Sequence, residues 1–172
     1  MAHIEDVEQL QACVPRLRRY ARALTGDRTA ADDLVQDTLE RAWARLSAWR
    51  GAGDLRAWLF SIMHNTFVDQ RRRPSLAAAE PDDAKEAADV SIRATQTDAL
   101  ELRDLDTALA RLPVEQREVL LLVALEQLSY DEVAASLSIP VGTVMSRLSR
   151  GRERLRGILE GRPQSTHLRT VK

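Results

Sequence analysis

The sequence predicts an all-α protein with two small helical domains joined by a flexible acidic linker. Leu, Ala and Arg dominate its 172 residues, and no stretch alternates apolar and polar positions with a period of two. Several segments instead repeat apolar residues every three or four positions, which is typical of amphipathic helices. A central segment is rich in Ala and acidic residues and poor in large apolar groups, so its composition is that of a linker.

Two helices are predicted before residue 48. The first covers about 5–24 and ends at Thr25-Gly26-Asp27, and Thr29 with Asp32 gives a start signal for the second. The expected core-facing positions are Leu10, Val14, Leu17, Ala21 and Leu24 in the first helix and Leu34, Val35, Thr38, Leu39, Ala42, Trp43 and Leu46 in the second.

The outer face of the second helix is polar. It carries Asp33, Gln36, Asp37, Glu40 and Arg41. Packed carboxylates can form a catalytic cluster, but these have no histidine neighbours and no glycine-rich loop. The pattern therefore favours a surface for a basic or polar protein partner.

A loop with an aromatic ring and a third long helix follow. The loop, residues 48–53, carries Trp49, Arg50 and two glycines, and Asp54 is the expected cap of the helix. The helix is predicted to turn Leu55, Trp58, Leu59, Ile62 and Met63 inward and Asn65, Asp69 and Gln70 outward. It ends in the cluster Arg71, Arg72 and Arg73, which either complements the helix dipole or binds single-stranded nucleic acid beside a stacking ring.

The acidic linker divides the chain. Residues 76–106 hold nine acidic and three basic side chains, whereas the segments before and after are net basic. After it, a leucine pattern leads to Pro113, which starts the helix that contains residues 119–125. The predicted division is a first domain at 1–74, the linker at 75–99, a second domain at 100–160 and a basic tail at 161–172.

The segment from Ser129 to Arg156 has the pattern of a helix-turn-helix. Ser129 and Glu132 form a capping box, which predicts the start of a short helix. Pro140 interrupts that helix and starts a second one. The second helix has a predicted buried stripe of Val144, Leu148, Gly151 and Leu155, in which Gly151 allows close approach.

The opposite face of this second helix is rich in hydrogen-bond donors. It carries Thr143, Arg147, Arg150 and Arg154, flanked by Ser146, Ser149 and Arg152. Such donors suit phosphate oxygens and base edges in a DNA major groove. The simpler interpretation is a solvated arginine face, but the cap, the turn and the basic stripe together favour DNA binding.

Composition limits the other possibilities. The net charge of −1 predicts weak DNA binding by the chain alone, so a larger partner is expected. Cys13 is the single cysteine and the three histidines are scattered, which predicts neither a metal site nor a cofactor. The longest apolar run is far shorter than a membrane span and the N-terminus is polar, so we expect a cytoplasmic protein without membrane insertion.

Three motifs together resemble one family. DDLVQDTLERAW at 32–43, RAWLFSIMHNTFVDQRRR at 56–73 and SYDEVAASLSIPVGTVMSRLSRGRERL from Ser129 are similar, in this order, to motifs of the extracytoplasmic-function (group 4) sigma factors of the bacterial sigma-70 family. The resemblance implies a non-catalytic factor that directs RNA polymerase core to promoters and helps to open the DNA, in a stress or envelope response. It also implies binding to the polymerase β′ clamp helices and β flap, to promoter DNA and to an anti-sigma factor.

The resemblance implies three sets of binding residues. Those facing the polymerase core would be Asp33, Gln36, Asp37 and Glu40. Those at the minus-10 element would be Trp49, Arg50, Asn65, Arg71, Arg72 and Arg73, with the loop and Asn65 capturing a flipped base. Those at the minus-35 element would be Thr143, Ser146, Arg147, Ser149, Arg150 and Arg154. Met145 stands where several relatives carry a basic residue, so the resemblance does not define the exact upstream sequence.

Two other function classes fit parts of the pattern. An autonomous helix-turn-helix regulator would use the same hairpin, but it would leave the aromatic loop and the acidic helix without a role. An enzyme could use Asp32, Asp33, Asp37 and His64, but no nucleophile, phosphate loop or metal-ligand spacing accompanies them.

Overall fold

The computed structural model describes residues 4–49, 53–72 and 96–161. These ranges are helical and contain no strand, which confirms the all-α prediction. The elements are α1 (Ile4–Thr25), α2 (Arg28–Arg45), a short 3-10 helix (Leu46–Ala48), α3 (Leu55–Arg72), α4 (Gln96–Ala110), α5 (Val114–Ala124), α6 (Tyr130–Leu137) and α7 (Val141–Leu159). The predicted linker, apart from its last residues, and the predicted basic tail, apart from its first, lie outside the described residues. In the described ranges, none of the helices has both the length and the apolar character that crossing a membrane requires.

Helices α1 to α3 form the first domain. Their apolar stripes meet in a core in which Leu17, Leu34 and Leu59 are fully buried. Tyr20 of α1 and Phe60 of α3 pack edge to face, with ring centroids 5.0 Å apart. Burying each such side chain contributes about 1.5–3 kcal/mol, so these contacts hold the three helices together.

Helices α4 to α7 form the second domain, with α5 at its centre. Val119 and Leu122 of α5 are buried in the same core as Val133 and Val144 of the helix-turn-helix. Gly151 of α7 faces α5 so closely that an added Cβ would lie 3.4 Å from the Cβ of Gln116. The predicted close approach at this glycine is therefore confirmed.

The two domains pack directly against each other. Buried apolar residues form one continuous cluster that crosses the boundary between them. The guanidinium of Arg117 on α5 donates to the carbonyl of Leu24 at the end of α1 over 2.6 Å, and to the carbonyl of Leu112 over 2.9 Å. From α6, the Ser136 hydroxyl donates to the carbonyl of Ala57 on α3 over 3.1 Å. The sequence left open whether the two predicted domains are compact or extended, and in this structure they are in contact.

Two details of the second helix differ from the sequence prediction. Helix α2 is capped by Asp27, whose carboxylate accepts from the backbone N–H of Ala30 over 2.6 Å, and Thr29 lies within its first turn. Trp43, predicted in the core, has 60% of its surface exposed. Each residue turns a helix by about 100°, so the residue after buried Ala42 points away from the core.

Candidate nucleic-acid and protein-binding surfaces

The helix-turn-helix is formed as predicted. The Ser129 hydroxyl accepts from the Glu132 N–H over 3.2 Å, and the Glu132 carboxylate accepts from the Ser129 N–H over 2.7 Å. Helix α6 ends at Leu137, and its C-cap Ser138 has a left-handed φ of 53° that turns the chain toward α7, of which Pro140 is the N-cap. These local interactions fix the angle at which the second helix is presented.

Helix α7 buries one face and exposes the other. Val144, Leu148 and Gly151 are buried. The exposed predicted residues are Ser146, Ser149, Arg150 and Arg154, whereas Thr143 and Arg147 are half-buried. The exposed hydroxyl and guanidinium groups form a continuous donor surface, which can contact phosphates and base edges of duplex DNA.

Arg147 lies apart from the other arginines of α7. It lines a groove of about 450 Å³ between the domains, together with Arg71 and Arg72 at the end of α3. The groove walls include Phe67 and the buried Leu137. The structure therefore brings together residues that the sequence assigned to two different DNA elements.

The polar face of α2 is accessible. Asp33, Gln36 and Glu40 are exposed, and the Gln36 amide donates to the Glu40 carboxylate over 3.0 Å. Asp37 is half-buried, and its carboxylate accepts from the Gln70 amide of α3 over 2.9 Å.

The sequence prediction missed one member of this face. Trp43 is seven residues, or two helical turns, beyond Gln36, so its exposed ring extends the same surface. The helical period alone could have shown this. The buried stripe of α2 repeats every three or four residues and already includes Ala42, so the next residue, Trp43, lies off that stripe.

The loop tryptophan is packed, not free. Trp49 is half-buried, with its ring 6.1 Å from that of Trp58 on α3, and its buried indole N–H has no hydrogen-bond partner among the described residues. Asn65 is exposed on α3, two turns beyond Trp58. The ring of Trp49, which packs against Trp58, and the side-chain amide of Asn65 therefore flank one strip of that helix. Packing against Trp58 accounts for the position of the ring, and stacking with a base stays a prediction.

The basic end of α3 is partly described. Arg71 and Arg72 are exposed, and the Arg71 guanidinium lies 5.6 Å from the centre of the Phe67 ring. Arg50 and Arg73, which were predicted to join them, lie outside the described residues. The two described arginines provide positive charge at the end of the strip that Trp49 and Asn65 flank.

Buried acidic groups connect the domains. His64 Nδ1 of α3 lies 2.6 Å from Glu118 Oε1 of α5. The buried side chain of Glu126 accepts from Arg19 over 3.0 Å. Burial, with the nearby charges of Glu118 and Glu126, raises the pKa of Tyr20 well above its usual value of 10. Burial, and then the charge of Arg71, lowers the pKa of Arg117.

The residues of the enzyme alternative are not assembled into a site. His64 pairs with Glu118 of α5, and the Asp37 carboxylate is hydrogen-bonded to Gln70. Within the described ranges, no three His, Cys, Asp or Glu side chains are grouped so that they could hold a metal ion.

Comparison with known proteins decides the family. Residues 10–64 match the family model "Sigma2 domain of PhyR", and residues 102–155 match "Sigma-70, region 4". The ECF RNA polymerase sigma factor EcfG of Rhodopseudomonas palustris is 39% identical over 153 residues, covering 88% of this chain and 83% of that protein. The chain belongs to the ECF RNA polymerase sigma factors. A second ECF sigma factor, SigM of Mycobacterium tuberculosis, is 35% identical over 84% of this chain and 71% of SigM.

Two solved structures have a similar fold. The sigma factor RpoE in complex with the anti-sigma factor NepR from Bartonella quintana is 36% identical, with a TM-score of 0.75. That match covers 91% of this ECF sigma factor and 98% of RpoE. CnrH in complex with the cytosolic domain of CnrY is 29% identical, with a TM-score of 0.66 over 91% of this chain and 88% of CnrH. Both matches extend over the two domains.

Proposed function

We propose that this ECF sigma factor is a dissociable subunit, without catalytic activity, that directs RNA polymerase core to specific promoters and helps to open the DNA. One observation carries the proposal: a single chain presents a polar and aromatic face on α2 and a basic helix-turn-helix face on α7. The first face suits a protein partner and the second suits DNA, which is what a promoter-specificity subunit requires. The protein would act in the cytoplasm, where the polymerase is.

The α2 face is the proposed polymerase-binding surface. Asp33, Gln36 and Glu40 offer exposed acceptors to a basic or polar partner, and Asp37 joins them at the edge toward α3. The β′ clamp helices are the partner that the family resemblance assigns to this helix. The β flap would contact the second domain.

The strip along α3 is the proposed minus-10 surface. A base flipped out of the duplex loses stacking worth a few kcal/mol, which an aromatic ring and an amide can offset. Trp49 and Asn65 flank the strip, and Arg71 and Arg72 are placed to hold the adjoining phosphates. Arg50 and Arg73 would add to the same positive charge.

The α7 face is the proposed minus-35 surface. Ser146, Ser149 and Arg150 are exposed in the first half of the helix, the part of a recognition helix that contacts bases. Arg154 lies further along and suits a phosphate contact. Thr143 and Arg147 are half-buried, so we assign them to the edge of the contact.

An anti-sigma factor is the proposed regulator. In the solved structures that are similar to this chain, RpoE is bound by the anti-sigma factor NepR, and CnrH is bound by the cytosolic domain of CnrY. We place the chain in a stress or envelope response under such control.

The deciding experiment is transcription from a genomic DNA library by purified bacterial core polymerase, with and without the protein. RNA starts that appear only with the protein, and that share two spaced upstream motifs, are the expected result. A Glu40→Arg variant should lose these starts while keeping its fold, because it reverses one charge on the exposed α2 face. Retardation of duplex DNA by the protein alone, without new starts, would instead identify an autonomous regulator.

A further inference from the structure

An apolar side chain is exposed on the proposed DNA-reading face of α7. Met145 has 51% of its surface exposed, although its neighbours Val144 and Leu148 are buried in the core. The side chains next to it on the surface are Ser146 and Ser149, which are also exposed. Met145 is therefore an apolar group available for contact beside two hydroxyl groups on this surface.

The position of Met145 in the helix limits what that ligand can be. It is the fifth residue of α7, in the part of a recognition helix whose side chains contact base edges. Its thioether cannot donate a hydrogen bond, so it can hold neither a phosphate oxygen nor the acceptor atoms of guanine. In the major groove the one apolar group on a base edge is the 5-methyl of thymine.

The surroundings favour nucleic acid over protein. Met145 and Tyr130 line an open groove whose other walls include Arg152 and Arg156. Arg150 and Arg154 are exposed on the other side of the same helix. Met145 shares its side of the helix with Arg152 and Arg156, and Glu153 also lines the groove, so a base edge in contact with Met145 would lie next to a phosphate backbone that these two arginines can hold.

We infer that Met145 is a specificity-determining residue, which packs against the methyl group of one thymine in the upstream promoter element. The inference rests on the proposed reading of duplex DNA by α7. The unbranched thioether adapts its shape to the methyl group, and Ser146 and Ser149 contribute hydroxyl contacts beside it. An A·T pair is thereby preferred at one defined position.

The test removes only the methyl group. In a promoter recovered from the mapped starts, each thymine of the upstream element is replaced in turn by deoxyuridine, and binding by the complex of core polymerase and this protein is measured by competition. One replacement should weaken binding roughly fourfold, which corresponds to the ~0.8 kcal/mol of one buried methylene-sized group. With Met145→Ala, that replacement should have no effect. Met145→Leu should restore part of the dependence.

A matched control is available on the same helix. Leu159 is 53% exposed at the far end of α7, so Leu159→Ala removes a similar apolar surface away from the proposed contact. It should keep the full response to deoxyuridine.

Two results would overturn the inference. One is an upstream element in which no thymine methyl affects binding. The other is a Met145→Ala variant that still loses roughly fourfold in binding when the thymine is replaced by deoxyuridine, which would show that Met145 does not contact that methyl group. In both cases transcription from the unmodified promoter would still establish the initiation function. Failure of this inference can therefore be told apart from failure of the proposed function.

Discussion

His64 and Glu118 join the two domains through a hydrogen bond of 2.6 Å between Nδ1 and Oε1. The Glu118 carboxylate is almost fully buried, and it lies on α5 while His64 lies on α3 next to Asn65. Water would replace this contact if the domains separated. The contact therefore contributes little net free energy to the association of the two domains. Removing one partner while the domains stay together is costly, because the other partner is then buried alone.

Removing one partner of this pair should destabilise the closed protein. With His64→Ala, the Glu118 carboxylate stays buried without its partner, which should cost about 1–3 kcal/mol in the free energy of unfolding. Urea unfolding measures this value. The double variant with Glu118→Gln should recover part of the loss, because the amide buries no charge. Additive effects of the two substitutions would show that the residues do not interact.

Tyr20 should make stability fall at alkaline pH. Its raised pKa means that the folded protein keeps the phenol proton above pH 10, whereas the unfolded chain releases it. The unfolded state then binds fewer protons, so the free energy of unfolding falls by up to ~1.4 kcal/mol for each pH unit above about 10. Tyr20→Phe should remove this slope in urea titrations, and Tyr130→Phe should keep it, because Tyr130 is exposed. Equal slopes in both variants would contradict the prediction.

The domains should separate when the protein binds a promoter. A compact chain of 172 residues has a radius of gyration of about 16 Å, whereas ~25 base pairs between minus-35 and minus-10 extend ~85 Å. The closed structure is too small to reach both elements. Dyes placed by Gln11→Cys and Leu159→Cys in a Cys13→Ser background report the separation, since both positions are exposed. Energy transfer should drop in the complex of core polymerase, protein and promoter. Unchanged transfer in a complex that makes RNA would exclude this opening.

Local interactions made much of the fold predictable. The capping box depends on two residues that are three positions apart, Ser129 and Glu132, so it was visible in the sequence. The close approach at Gly151 depends on the small size of glycine, which the sequence also shows. The predicted start of α2 at Thr29 was wrong, because Asp27, two residues earlier, is also of a capping type. Asp27 is the cap because Gly26, with a φ of +71°, ends α1 just before it.

Contacts between distant residues were not predictable. His64 and Glu118 are 54 positions apart, and Arg19 and Glu126 are 107 apart. Each side chain also has an ordinary interpretation as a solvated charge on its own helix. Their partners depend on how the two domains pack, which a single sequence does not specify. For the same reason the sequence did not place Arg147 beside Arg71 and Arg72.

Trp43 should be a strong contributor to polymerase binding. Most of the binding free energy of an interface comes from a few residues, often tryptophans, that lose their contact with water near the centre of the interface. Trp43→Ala should weaken binding to core polymerase by at least tenfold, measured by competition against the unchanged protein. The free energy of unfolding should change by less than about 0.5 kcal/mol, because the ring is exposed in the free protein. Leu102→Ala, at an exposed residue of α4, should leave polymerase binding intact.

Arg150 should contribute to base recognition more than Arg147 does. Arg150 is exposed on α7, whereas Arg147 is half-buried and lines the groove against α3. Arg150→Ala should weaken upstream-element binding by about 1–3 kcal/mol and relax the preference at one base pair, because a guanidinium that contacts a base edge carries sequence information. Competition with single-base variants of the element measures both effects. An equal loss on every sequence, with a smaller dependence on salt, would instead assign Arg150 to a phosphate, since a lost phosphate contact lowers the number of released counterions.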